Sequence, residues 1–343
     1  MRVGVVGATG LVGTEVLRVL EERSFPVTEL RAYASPRSEG RRLSFAGREV
    51  VCERLRDDCF EGLELVIVDV DEPLAAEWAP RAVAAGARVI DKSSAFRMDP
   101  AVPLVVAEVN PHDLVDAAQG IVSCPNCTTM VLVMALAPLH HAAGIERLVV
   151  STYQSVSGAG QAGVRELAEQ WTKGAGQEDA LRRAGASPDG LEPGDLWPVP
   201  IAGNVIPLAG RRQEGGYTSE EWKLVRESRK ILHAPELQVS ATCVRVPVYV
   251  GHSMSANVQF SRALPRAEAA AVLDRAPGVR LAADGDGAPT PLDAAGIDPV
   301  LVGRLREDPS QDRTLDLWVT GDNLRKGAAL NGVQIAELLL ERR

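Results

Sequence analysis

Hydrophobic positions change period repeatedly along the first 145 residues. Val3 to Val6 is a short apolar run that stops at Gly7, after which Val12, Val16, Leu17 and Leu20 recur on one helical face. Leu30 to Ala34, Val50 with Val51, Arg88 to Ile90, Leu104 to Val106 and Ile121 with Val122 read as strands. Leu65 to Val70 is so rich in β-branched residues that it reads as a parallel strand buried on both faces. Pro73 to Ala85 reads as a helix with proline in its first turn, and an apolar helix is expected from about Cys127. Strand and helix in alternation predict a doubly wound parallel sheet.

The rhythm changes after about Ile145. Leu148 to Ser155 and Val239 to Phe260 are long β-rich segments, with a helix expected over Glu220 to Leu232. Gly174 to Pro198 is rich in Gly, Pro, Asp and Ala and reads as a partly helical insertion on the surface. Leu315 to Val319 supplies a last strand. Leu330 to Leu340 forms an amphipathic helix expected to pack back on the first domain. The expectation is an α/β domain over residues 1–127, completed by 322–343, and an α+β domain with a mixed or antiparallel sheet over 128–321.

Composition narrows the class of function. The 343 residues carry 37 Lys and Arg against 46 Asp and Glu, a net charge of −9. An acidic chain is a poor general ligand for nucleic acid, which requires a basic face. The longest apolar stretch, Met130 to Leu139, falls short of the roughly 18 residues of a membrane span and meets Pro138 and His140. The N-terminus reads as a first strand, not a secretory signal. Five cysteines with one close pair make no disulfide framework and suit a reducing cytoplasm.

Candidate chemistry begins at Gly7, Gly10 and Gly13, spaced GxxGxxG between a strand and a helix. Such glycines allow a tight turn and close backbone approach, and the helix start faces a pyrophosphate. The second strand is followed by Arg37 and Ser38, with no acidic residue before Glu39 for ribose hydroxyls. That pair suits a 2′-phosphate, hence NADP; a solvated basic loop is the alternative.

Cys127 falls where strand gives way to helix, and a helix N-terminus favours a thiolate. Beside a nicotinamide site, a thiolate suggests thioester or thiohemiacetal chemistry. Cys124 and Cys127 also spell CxxC, a redox pair or half a zinc site, but no second CxxC or HxxxH completes a metal set.

Among five histidines, His112, His140, His141 and His233 fall at helix ends. His252 stands in a β segment after Gly251 and is the candidate base, with a structural histidine as the alternative. Arg245 lies in the same apolar segment, where a cation needs a partner: a ligand carboxylate or an internal ion pair. Their separation of seven puts them on opposite faces of a regular strand. A shared site therefore demands a bend at Pro247 or Gly251. Glu220 and Lys223 open a helix, and Arg97 follows a sheet strand where it can hold an anion.

With these residues placed, the sequence closely resembles the aspartate-semialdehyde dehydrogenases over essentially its whole length. GATGLVG, SSAFRMD, PNCTT, YQSVSGAG, EEWK, RVPVYVGHS and DNLRKGAALN occur in the family's order and spacing. The resemblance implies a Rossmann-like parallel-sheet NADP domain plus an α+β catalytic and dimerisation domain. It implies NADPH-dependent reductive dephosphorylation of L-aspartyl 4-phosphate to the semialdehyde, feeding lysine, methionine, threonine and diaminopimelate synthesis. It makes Cys127 the acyl-thioester nucleophile, His252 the acid/base catalyst, and Gln154 a contact to substrate and reaction centre. It assigns Arg245 to the α-carboxylate and Glu220 to the ammonium group. Arg97, Lys223 and Asn126 form the phosphate site. Gly7, Thr9, Gly10, Leu11 and Val12 meet the cofactor's phosphates, Arg37 and Ser38 its 2′-phosphate, and Ser157, Gly158 and Asn331 its nicotinamide end.

The family implies a cytoplasmic homodimer or tetramer that uses no metal and meets neither nucleic acid nor membrane. Family members often carry a small polar residue where Cys124 stands, which opens a Cys124–Cys127 disulfide under oxidation. The rival is N-acetyl-glutamyl-phosphate reductase, whose uncharged substrate nitrogen leaves Glu220 less to do. A catalytically silent NADP-binding protein and a CxxC redox protein are further alternatives.

Overall fold

The computed structural model describes residues 1–177, 179, 191–283 and 288–341. Of the expected insertion at 174–198, residues 178 and 180–190 lie outside the described residues. The chain divides into two compact units. The first comprises Met1–Ala137, Arg226–Glu236 and Leu324–Arg343; the second comprises Pro138–Val225 and Leu237–Asn323.

In the first unit, strands β1 (Arg2–Val6), β2 (Glu29–Tyr33), β3 (Arg42–Phe45), β4 (Arg48–Glu53), β5 (Leu65–Val68), β6 (Arg88–Asp91) and β7 (Ile121–Ser123) form one sheet. Its order is β3-β4-β2-β1-β5-β6-β7. Every neighbouring pair is parallel except the edge hairpin β3–β4. The inner strand β5, next to β1, is buried at all four positions, as its β-branched run requires. Helices α1 (Leu11–Glu22) and α2 (Glu72–Ala84) follow β1 and β5, and α2 carries proline in its first turn. Tyr33, Phe60, Val66, Val68 and Val89 centre a core onto which Trp78 packs.

One segment differs from the sequence pattern. Leu104 to Val106 makes no strand; only Leu104 bridges, to Ser123. Backbone pairing is limited to Ser123, with Val105 N donating to Ser123 O and Ser123 N to Pro103 O, while side chains take the carbonyls: Asn110 Nδ2 donates to Leu104 O and Asn331 Nδ2 to Val105 O. Helix α3 (Cys127–Ala143) runs through Pro138 and past His140 and His141, as expected of a helix that those histidines close. Its residues from Met130 to Ala137 are buried all round, so packing outweighs the lost hydrogen bond.

The second unit carries a mixed six-stranded sheet. It is built from β8 (Ile145–Gln154), β9 (Gln238–Arg245), β10 (His252–Phe260), β11 (Val279–Leu281), β12 (Val300–Glu307) and β13 (Thr314–Gly321). The order is β11-β12-β13-β10-β8-β9, parallel at its two outer pairs and antiparallel between. The segment Val239 to Phe260 is thus two strands, not one. Helices α4 (Gly160–Gly174), α5 (Ser219–Ile231), α6 (Arg266–Asp274) and α7 (Pro291–Ala294) follow. The boundary between the units divides α3 and α5. The last helix, α8 (Leu330–Glu341), belongs to the first unit, where Arg23 makes a two-pronged ion pair with Glu337.

The turn between β1 and α1 needs its glycines for different reasons. Gly7 has φ +87°, and a Cβ there would sit 2.1 Å from Asp69 O. At Gly13 a Cβ would lie 2.2 Å from Gly7 O, whereas at Gly10 the same oxygen is 3.3 Å away. Gly13→Ala should therefore cost roughly 2 kcal/mol or more in denaturant unfolding, and Gly10→Ala clearly less. Equal costs would show that α1 does not approach the turn this closely.

Candidate active site

In the glycine turn Gly7 N and Ala8 N both donate to Tyr33 O, so what the turn offers an anion is the start of α1. Gly10 N donates back to Gly7 O at 2.9 Å, which closes the turn. Gly10 is the N-cap of α1, without a side-chain cap bond, and the helix's first turn holds no acidic residue. Thr9, Leu11 and Val12 are half-buried around it. Arg37 and Ser38 lie in a short 3₁₀ turn, Pro36–Ser38, just after β2; Arg37 is exposed and Ser38 half-buried. A cradle that side chains would fill, beneath a positive helix end, fits a nicotinamide dinucleotide.

Cys127 is the first residue of α3 and is half-buried. The residue before it is held at both ends. Asn126 Oδ1 accepts from Thr128 N at 3.0 Å as a helix cap, and Asn126 N donates to Glu227 Oε2 at 2.7 Å. The other oxygen of Glu227 accepts from Arg97 Nη1 at 3.0 Å, and Arg97 Nη2 donates to Lys92 O at 2.7 Å. Glu227 is 1% exposed and Arg97 7%. A buried carboxylate thus bridges the expected phosphate arginine and the backbone next to Cys127. Sequence reasoning missed Glu227, because an acid within Ser219–Ile231 looks like one more surface charge.

Cys124 is fully buried, and burial pushes its thiol up. Asn331 Nδ2 approaches its sulfur at 3.7 Å. The Asn331 amide also accepts from Ala107 N and donates to Val105 O. Its expected place at the cofactor's nicotinamide end is therefore shared with an internal stitching role. Lys326, 1% exposed, pairs with Glu108 and Gln334.

In the second unit three expected residues come together through sheet register. Arg245 pairs with Gln154 across β9–β8, and Ser253 pairs with Tyr153 across β10–β8, which brings His252 opposite Gln154 from the other edge. The odd separation of Arg245 and His252 is absorbed by a break at 246–251, where Gly251 takes φ +96°. A Cβ on Gly158 would lie 3.0 Å from Arg245 Nη1 and 3.3 Å from His252 Nε2. The glycine keeps open the space that both groups face.

Ser155 ties them. Its N–H donates to His252 Nδ1 at 3.1 Å, and its carbonyl accepts from Arg245 Nη1 at 2.6 Å. Asn323 Oδ1 accepts from Ser155 Oγ, Ser157 Oγ and Gly251 N, fixing the turn beside the ring. Neither Ser155 nor Asn323 was singled out from sequence; short polar residues beside glycine have too many ordinary uses.

Because a backbone N–H only donates, Nδ1 is the acceptor, and the neutral ring carries its proton on Nε2. Burial, then the neighbouring Arg245 cation, pushes His252 down to about 3. Glu220 and Lys223, on α5, pair with each other at 2.6 Å. Glu221 accepts from Thr218 N and Cys243 N and so anchors that helix start.

Two family models match the chain. One described as "Semialdehyde dehydrogenase, NAD binding domain" covers residues 2–117, and one described as "Semialdehyde dehydrogenase, dimerisation domain" covers 136–326. The aspartate-semialdehyde dehydrogenase of Streptomyces akiyoshiensis is 51% identical over 99% of this chain and 98% of its own length. That of Mycolicibacterium smegmatis is 49% identical over 99% of each. A crystal structure of aspartate semialdehyde dehydrogenase II from Vibrio cholerae, complexed with ASA, is 42% identical. It superposes with a TM-score of 0.91 over 99% of this chain and 98% of that one.

Two measurements check this geometry. Removing one partner of a buried pair leaves an uncompensated charge, so Arg97→Met and Glu227→Gln should each cost roughly 3 kcal/mol in denaturant unfolding. The double variant should cost little more than either alone; additive costs would mean the two do not interact. The second measurement concerns His252, whose folded value lies below its ordinary 6.5. The unfolded chain binds the proton first, so the stability contributed by the neutral ring is complete above about pH 6.5 and lost as pH falls toward 3. His252→Gln should flatten that fall by roughly 1.4 kcal/mol per pH unit. An unchanged pH profile would mean the ring protonates freely when folded.

Proposed function

The chain belongs to the aspartate-semialdehyde dehydrogenase family, and from that membership we propose how its own residues carry the family's reaction. The reaction is the NADPH-dependent reduction of L-aspartyl 4-phosphate to L-aspartate 4-semialdehyde and phosphate, and its reverse. Within the second unit, one observation carries the assignment. A guanidinium and an imidazole N–H face a single space that Gly158 leaves open. That arrangement suits a substrate with a carboxylate at one end and a carbonyl at the other.

Cys127 attacks the acyl carbon as a thiolate favoured by the start of α3. A carbon–sulfur bond forms, the carbon–oxygen bond to phosphate breaks, and phosphate leaves with the bonding pair. The nicotinamide nucleotide, when bound, supplies the hydride that reduces the thioester carbon. The carbon–sulfur bond then breaks, giving the aldehyde and returning the pair to Cys127.

His252 meets the oxyanion of each tetrahedral stage as a hydrogen-bond donor through Nε2, the acid side of its role. Gln154, between it and Arg245, contacts the reacting group. Arg245 binds the α-carboxylate with a fork that a lysine lacks. Glu220 takes the ammonium group, and Arg97, Lys223 and Asn126 receive the phosphate. For Arg97 this means sharing its guanidinium between phosphate and Glu227; for Lys223 it means leaving Glu220.

Gly7, Thr9, Gly10, Leu11 and Val12 hold the pyrophosphate. Arg37 and Ser38 select NADP through the 2′-phosphate, and Ser157, Gly158 and Asn331 serve the nicotinamide end. The N-acetyl-glutamyl-phosphate alternative is disfavoured by full-length relatives named for the aspartyl reaction. A homodimer is supported by the match to a dimerisation domain and by Tyr153 and Trp318, which stack at 5.3 Å with Tyr153 37% exposed. Residence in the cytoplasm agrees with five free cysteines. Among the described residues, no helix is long and apolar enough to cross a membrane.

NADPH formation from L-aspartate 4-semialdehyde, phosphate and NADP⁺ tests the assignment. Cys127→Ser should nearly abolish turnover while nucleotide binding persists. His252→Ala should lower kcat by roughly 10²–10³-fold, the usual effect of one lost oxyanion donor. Retained turnover in Cys127→Ser would remove the covalent route.

A further inference from the structure

His112 and His233 looked like ordinary helix-end residues in the sequence, yet the fold brings them together in the first unit. Their Nε2 atoms lie 3.3 and 3.1 Å from Asp113 Oδ1, and one ligand atom from each of the three residues falls within 4.8 Å of the others. The two rings are 5.7 Å apart and inclined by 34°. Asp113 is not a loose surface acid: its other oxygen accepts from Asn110 Nδ2 at 2.7 Å, and Asn110 is 1% exposed. Asn110 in turn donates to Leu104 O and accepts from Val106 N. His233 is fixed by the end of α5, where its N–H donates to Lys230 O and its φ is +51°. The neighbouring cation, Lys230, is occupied by the carbonyls of Arg97, Asp99 and Val102.

We propose that His112, Asp113 and His233 form a surface site for a divalent transition-metal ion of the Zn²⁺, Co²⁺ and Ni²⁺ type. Two imidazole nitrogens and one carboxylate oxygen suit such ions, with water completing the coordination. The hydrogen bond from buried Asn110 supplies the orienting outer contact that ligating carboxylates commonly have. Asp113 and His233 are 120 residues apart in sequence, so the ion would clip two distant segments of the first unit together and stabilise the folded chain. The site uses no residue assigned to the reaction. The CxxC and HxxxH spacings weighed in the sequence miss ligands assembled across the fold.

The test is calorimetric titration of the full chain with Zn²⁺, carried out in Cys127→Ser so that this thiol does not compete. One ion should bind per chain, and thermal unfolding should shift upward with Zn²⁺. His112→Ala, His233→Ala and Asp113→Asn should each weaken binding at least tenfold. His112 is 67% exposed, so its truncation leaves the fold intact and serves as the cleanest arm. With Co²⁺, the visible spectrum should show nitrogen and oxygen ligation without thiolate charge transfer. No binding, binding unchanged in His112→Ala and His233→Ala, or a thiolate band would overturn the proposal.

Discussion

The main chain of Ser155 is the point on which the polar part of the second unit turns. One peptide segment satisfies two buried side chains of opposite need: its N–H serves the acceptor nitrogen of His252 and its carbonyl serves the guanidinium of Arg245. His252 is 0% and Arg245 8% exposed, so each would be costly without such a partner. The arrangement decides the chemistry as well. A ring that accepts at Nδ1 keeps its proton at Nε2, and the adjacent cation discourages a second proton. The imidazole is thereby committed to donating toward the space beside Gly158.

The first unit solves the opposite electrostatic problem. Glu227 is a buried anion, stabilised by the Arg97 cation and by the backbone N–H of Asn126. It therefore sets the position of Arg97 and of the residue that caps α3. Asn126 spends its side-chain oxygen on Thr128 N, so the helix starts sharply and Cys127 occupies its first position. A sulfur there gains from the helix dipole. The glycine turn after β1 likewise leads into a helix N-terminus, that of α1.

Much of this was legible in the chain. Alternating periods marked nearly every strand and helix of the first unit, because buried parallel strands carry continuous β-branched runs. Cys127, Arg245 and His252 stood out because each is chemically odd in its local context. The parity argument correctly demanded a break between Arg245 and His252, and Gly251 marks it. What stayed hidden depends on contacts distant in sequence. Leu104 to Val106 looks like a strand but pairs only at Ser123, and its Leu104 and Val105 carbonyls are taken by Asn110 and Asn331 side chains, which no local pattern announces. Glu227 is camouflaged among helix charges. Assignment of Arg226–Glu236 to the first unit follows from packing alone, with Lys230 reaching three carbonyls of the 97–102 loop. The grouping of His112 with His233 is of the same kind.

The neutral, Nε2-protonated state of His252 is the claim most open to direct observation. With only five histidines in the chain, ring ¹⁵N resonances of histidine-labelled protein can be assigned by single substitution. At neutral pH the His252 ring should show one protonated nitrogen, Nε2, and one bare nitrogen, Nδ1, and this pattern should persist well below pH 6. A doubly protonated ring at neutral pH, or a proton on Nδ1, would contradict the role given to Ser155 and the donor role given to His252.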